Sequence, residues 1–390
     1  MSLLTGQRNT NLDALRAIAI LMVLGCHAGM AIALLHASAF YTVYWARVGW
    51  AGVDLFFVLS GFLISGLLFK GYQERRRIDT SRFYIRRGLK IWPAFYALIV
   101  TGLLVDLVRP GHHFSIKRLI VELFFVQDYF QGIWGITWSV AVEEHFYLIL
   151  PLVLLLMIRR DREKPFAALP YVFAVIAILA LVCRFAVGWK QDGTIDPWTC
   201  QFPTHLRIDG LMFGVLLCYY QRFRPNIFGR IVSWRGGWIV IAATVALLST
   251  FPLESRHMHT WGFTVVYLGA GLLVAKAVAS EGPRPVRVVS SMLARIGLYS
   301  YSIYLWHMFF VWRVLGVLLH FHVLSPVWLY WCSIIGPILF GIAAAKAIEI
   351  PVLRFRDRVF PTVPNSGVTS NAPTSVERLA EAGSGGVLPD

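Results

Sequence analysis

Arg16 and His27 stand eleven residues apart within the first apolar run of the chain. In an α-helix that spacing advances about 16 Å and returns to nearly the same face. Arg16 therefore lies near one mouth of the run and His27 beyond its middle. An imidazole in a water-poor setting is a proton acceptor, provided a partner fixes its tautomer. Glu143, in the later run Thr137 to Tyr147, falls at comparable depth. His27 and Glu143 thus form a candidate general-base pair. The alternatives are a structural ion pair and, for His27 alone, an interhelical hydrogen bond. Asp54 enters its own run at similar depth and is a second candidate partner. Cys26 points about 100° away from His27 around the helix and is not read as a nucleophile.

A second group has different chemistry. Arg86, Arg87 and Lys90 open another apolar run at spacings of one, three and four. They surround the first turn of a helix, where the free N–H groups also favour anions. This pattern suits a phosphate-rich ligand. Nearby Arg75, Arg76 and Arg77 need no more than membrane topology and anionic lipid. Arg207 and Asp209 share one short run and are read equally as acceptor-binding groups or as a local ion pair. His307 is a candidate second pore-lining group, better read as a hydrogen-bonded core residue. Trp138 is an interface anchor that could also stack on a sugar ring.

The elements that carry these residues follow from composition. Of 390 residues, 57% are hydrophobic and 15% charged, and the mean hydropathy is +0.63. Soluble domains are about 45–50% apolar and about 25% charged. The composition excludes a soluble enzyme, a disulfide scaffold and a disordered chain, and predicts an all-α polytopic membrane protein. A span needs about 20 apolar residues. Runs of that kind give about ten transmembrane helices, near 12–35, 49–69, 89–108, 137–157, 166–187, 204–220, 236–251, 261–280, 296–320 and 327–350. The stretch Ser115 to Phe130 has helical apolar spacing and is expected to lie in the interface. The run from Leu12 to Leu35 is too long for a signal-peptide core, so no cleavable signal is expected.

The net charge of +15 records topology. With the N-terminal side called inward, the inward segments hold 25 of the 36 Lys and Arg, the outward loops six and the spans five. Both termini are therefore expected in the cytoplasm, in a multi-pass protein of the cytoplasmic membrane. No nucleic-acid partner is expected. The five cysteines form no C-x-x-C pair, and no metal site is expected. Residues 361–390, rich in Ser, Thr, Pro and Gly, read as a disordered cytoplasmic tail.

At these residues the chain resembles the acyltransferase-3 family of integral membrane acyltransferases, over about residues 8–355. The resemblance rests on Arg16 and His27 as an R-x10-H pair, and on the run Gly52 to Ile64 with Asp54 and Ser60. It also rests on Arg86 to Pro93, Trp138 to Tyr147, Arg207-x-Asp209-Gly210, Ser300 to His307, and Ile348-Glu349-x-Pro351. The chain departs from the family pattern at Lys90, where Arg is frequent, at Ala141, where a second Ser is frequent, and at His145, where Gln is frequent.

The resemblance implies an acyltransferase domain at residues 1–360. It implies transfer of an acyl group, most simply acetyl, from cytoplasmic acyl-CoA (acetyl-CoA) to a hydroxyl of a sugar in a surface or exported glycan. On that basis His27 is expected to act as base, Glu143 to orient it, and Arg16 to hold part of the CoA or stabilise the oxyanion. Arg86, Arg87 and Lys90 are expected to hold the CoA phosphates. Asp54, Trp138, Arg207, Asp209 and His307 are the weaker candidates for the acceptor. A small glycosylated metabolite such as a macrolide is an alternative acceptor. A proton-coupled transporter and a non-catalytic assembly subunit are the alternatives of other classes. Paired repeats with broken helices would favour the transporter, and none is visible in the sequence.

Overall fold

The computed structural model describes residues 9–33, 40–107, 115–190, 196–280, 284–316 and 326–361. Beyond Pro361, the expected tail lies outside the described residues. Every described regular element is helical. In chain order these are α1 (Thr10–Ala33), α2 (Phe40–Val48), α3 (Gly52–Arg75), α4 (Thr80–Leu107) and α5 (Ile116–Leu123). There follow α6 (Trp138–Arg160), α7 (Leu169–Lys190), α8 (Pro197–Cys200), α9 (Thr204–Phe223), α10 (Pro225–Ser233) and α11 (Gly236–Thr250). The last are α12 (Phe263–Ala279), α13 (Arg284–Leu298), α14 (Ser300–Phe309), α15 (Pro326–Ala344) and α16 (Ile350–Val359).

Among the described residues, seven helical stretches are long and apolar enough to cross a bilayer. The bent pair α10 and α11, at 62°, makes an eighth if it counts as one span. Of the ten runs read from sequence, α9 falls outside this set because Arg207, Asp209 and Arg222 interrupt it. The run at 296–320 is broken by the wide turn Phe310–Leu315, and residues 317–325 lie outside the described set. The interfacial segment is shorter than expected. Its helix stops at Leu123, and Phe125 takes a left-handed φ of 56°.

The chain forms two compact units. One comprises Met1–Ile20, Ser81–Pro110 and Gly282–Asp390, the other Leu21–Thr80 and Gly111–Glu281. The division falls within α1, so Arg16 belongs to the first and His27 to the second.

In the second unit, α3 and α9 approach backbone to backbone. A methyl group added at Gly61 would lie 1.9 Å from the Leu211 carbonyl oxygen, and one at Gly214 would lie 2.2 Å from that of Val58. Only glycine permits this contact, and small residues are how helices pack closely in lipid. Asp54 precedes Gly61 by two helical turns and Arg207 precedes Gly214 by the same interval, so the crossing aligns their side chains. In the first unit α1 and α13 meet equally closely: a methyl group at Gly297 would lie 1.9 Å from the Asp13 carbonyl oxygen.

Candidate active site

His27 is half-buried on α1. Its Nδ1 stands 3.0 Å from the Val23 carbonyl oxygen, one helical turn earlier. A carbonyl only accepts, so Nδ1 carries the ring proton and Nε2 carries the lone pair. The backbone thus sets the tautomer at Nδ1, where the sequence suggested a carboxylate.

Glu143 has its own partners. Ser60 Oγ of α3 donates to Oε1 at 2.9 Å, and Tyr147 OH donates to Oε2 from one turn along α6. The two hydroxyl oxygens lie 3.1 Å apart. Two hydroxyl donors, one from α3 and one from α6 itself, thus converge on one carboxylate. Sequence reasoning gave neither residue a role. The i,i+4 spacing of Glu143 and Tyr147 was the available signal.

Asp54 and Arg207 form an ion pair at 2.7 Å, both almost wholly buried. The guanidinium carbon sits 3.8 Å from the Phe263 ring centroid, 5.5 Å from that of Trp138 and 5.8 Å from that of Phe57. This aromatic cage offsets part of the cost of burying the cation. Trp138 in turn stacks on Phe202 at 4.6 Å. Among the described residues, Asp54 Oδ2 and Arg207 Nη1 meet no hydrogen-bond partner.

The remaining acceptor candidates divide differently. Asp209 pairs with Arg184 at 2.8 Å. Arg184 also donates to the Leu206 carbonyl and to Thr264 Oγ1, each at 2.8 Å. This buried arrangement ties α7 to α9 through Asp209 and Arg184. His307 belongs to the first unit, is fully buried, and donates from Nδ1 to the Tyr304 carbonyl.

His145 lies 2.7 Å from Thr204 Oγ1 and 3.6 Å from Asp128 Oδ2. Asp128 Oδ2 also accepts from Thr204 N at 3.0 Å and Thr204 Oγ1 at 2.7 Å. The departure at His145 therefore anchors the start of α9 to the segment after α5. Burial pushes the Asp128 carboxyl above its ordinary range, against the pull of Thr204 and His145. Glu122 is wholly buried and accepts from Ile133 N at 2.9 Å, Trp134 N at 3.4 Å and Thr137 Oγ1. Desolvation still dominates, raising its pKa to about 7.

The cationic residues gather in the first unit. Arg16 lies 3.5 Å from Asp13 Oδ1. Arg16, Arg87 and Arg356 all act electrostatically on Lys90, as does Glu349. Glu349 accepts from Ser302 Oγ at 2.6 Å. Arg86 pairs with Asp357 at 2.9 Å. Arg356 and Asp357, absent from the sequence reading, sit in a polar stretch whose charges read as topology. Among the described residues no three His, Cys, Asp or Glu side chains group as metal ligands.

These features define a multi-pass helical membrane protein with paired ionisable groups inside its helical bundles. The chain belongs to the acyltransferase-3 family, whose model, an acyltransferase domain, matches residues 9–346. It is similar to the O-acetyltransferase OatA of Staphylococcus aureus strain NCTC 8325 / PS 47, with 26% identity over 382 residues. OatA of strain COL matches to the same extent. Each alignment covers 90% of this chain and 58% of the relative, so the chain spans little more than half of their length. No solved structure matches.

Proposed function

We propose that the chain is a membrane O-acetyltransferase that moves an acetyl group from cytoplasmic acetyl-CoA to a sugar hydroxyl of a surface or exported glycan. The observation that supports this reading best is the His27 ring, whose Nδ1 proton goes to the Val23 carbonyl, which fixes the tautomer with the lone pair on Nε2. The 26% identity to an O-acetyltransferase supports the acyl group and the oxygen nucleophile.

In this reading Nε2 takes the proton of the acceptor hydroxyl as its oxygen attacks the thioester carbonyl. The tetrahedral intermediate collapses, the C–S bond breaks, and the thiolate of CoA recovers the proton from the imidazolium. Glu143, held in place by Ser60 and Tyr147, favours the imidazolium electrostatically. Arg87, Lys90, Arg86 and Arg16 hold the donor's phosphates. Arg16 and His27 lie about 16 Å apart along α1, a distance that a pantetheine arm covers. Both termini then face the cytoplasm, as the distribution of Lys and Arg suggests. Asp54 Oδ2 and Arg207 Nη1 retain hydrogen-bonding capacity for acceptor hydroxyls, beside the stacked rings of Trp138 and Phe202.

The test is mass spectrometry of surface glycans from cells with and without the protein, paired with acetyl transfer by the purified chain in liposomes. A glycan acetyl group that depends on the protein supports the reading. Unchanged glycans, with no acceptor-dependent CoA release in liposomes, refute it.

A further inference from the structure

The end of α16 turns back onto the cationic start of α4. Asp357 Oδ1 accepts from Arg86 Nη2 at 2.9 Å, from Arg356 Nε at 2.9 Å and from Arg356 Nη2 at 2.8 Å. One carboxylate oxygen thus holds two guanidinium groups together. Arg86 Nη1 also donates to the Phe360 carbonyl, and Arg82 Nη2 to that of Pro361. Both carbonyls lie at the negative end of the α16 dipole. Arg356 is buried, and its charge reaches Lys90 together with those of Arg16 and Arg87.

The local balance is uneven. Among the described residues, six cationic side chains (Arg16, Arg82, Arg86, Arg87, Lys90 and Arg356) face three carboxylates, Asp13, Glu349 and Asp357. Asp357 Oδ1 is shared among three N–H donors, and the backbone carbonyls carry only partial charge. A phosphate or pyrophosphate presents more charge and more acceptor oxygens to the same forks. It is therefore the stronger partner for both arginines. The carboxylate, placed on the last turn of a helix, is the weaker one and can yield.

We propose that Arg356 is a further phosphate ligand of the donor site, and that Asp357 is an internal anion which the donor's phosphates displace from Arg86. This rests on the reading of Arg86, Arg87 and Lys90 as donor anchors.

The test is CoA binding to the full chain in lipid nanodiscs. Arg356→Gln should weaken CoA binding about 10-fold. Arg356→Lys, which keeps the charge and loses the fork, should weaken it about 3-fold. Asp357→Asn should tighten binding about 3- to 10-fold. Since Asp357→Asn could unsettle the repelling arginines, hydrogen exchange on the unaltered protein supplies a second readout. Saturating CoA should speed exchange at the last turn of α16 and leave α12 unchanged.

Arg356 variants that bind CoA like wild type, while Arg87→Gln binds weakly, would remove Arg356 from the site and leave the donor reading intact. Unchanged or weaker binding by folded Asp357→Asn, or unchanged exchange at α16, would overturn displacement. Wild-type protein that binds no CoA would overturn the donor reading itself.

Discussion

Ser60 Oγ donates to Glu143 Oε1 at 2.9 Å, joining α3 to α6 through one carboxylate. Tyr147 holds the other oxygen, so the carboxylate's aim depends on both hydroxyls. Each single change, Ser60→Ala or Tyr147→Phe, should lower the acetyl-transfer rate about 10-fold. Because both act through Glu143, the double variant should fall short of the product of the two losses. The donor KM should stay near wild type. Steady-state kinetics with labelled acetyl-CoA would check this, and a fully multiplicative double variant would count against a shared role.

Asp54 and Arg207 are buried, and each is the other's charge partner. Asp54→Ala leaves a guanidinium in the core without its anion, a change that costs about 3–5 kcal/mol. Arg207→Met in the same chain removes the stranded charge and should restore much of the loss. Thermal unfolding in detergent distinguishes the two variants, and equal melting temperatures would contradict the assignment.

The raised pKa of Glu122 makes the segment after α5 sensitive to pH. Its folded-state value is about 7 against an ordinary 4.5, so the folded protein retains the proton that the unfolded chain releases. This contribution is fully present below pH 4.5, declines as the pH rises towards about 7, and is lost above it. At about 1.4 kcal/mol per pH unit it amounts to at most about 3.5 kcal/mol. Glu122→Gln should flatten that part of the stability–pH profile, measured by chemical denaturation between pH 4.5 and pH 8. An unchanged profile would place the sensitivity elsewhere.

Most of this architecture was legible in the sequence, because apolar runs interrupted by single ionisable residues are costly in a membrane. Arg16, His27, Asp54 and Glu143 stood out on that ground. Their partners did not, because periodicity describes one helix at a time. Asp54 finds Arg207 at a separation of 153 residues, and Ser60 finds Glu143 at a separation of 83. Asp209 stands beside Arg207 in the sequence, and its partner Arg184 comes from another helix. The orienting group at His27 Nδ1 is a backbone carbonyl, which carries no mark in a sequence. Asp357 and Arg356 passed as topology because a charged helix end has that composition for several reasons.

The central claim is that His27 Nε2 takes the acceptor proton. Purified wild-type protein and His27→Ala, in liposomes with labelled acetyl-CoA and a glycan acceptor, test it directly. His27→Ala should lose about 10²–10⁴-fold in transfer rate, with CoA binding retained because the phosphate anchors are untouched. Transfer by His27→Ala at the wild-type rate would contradict it.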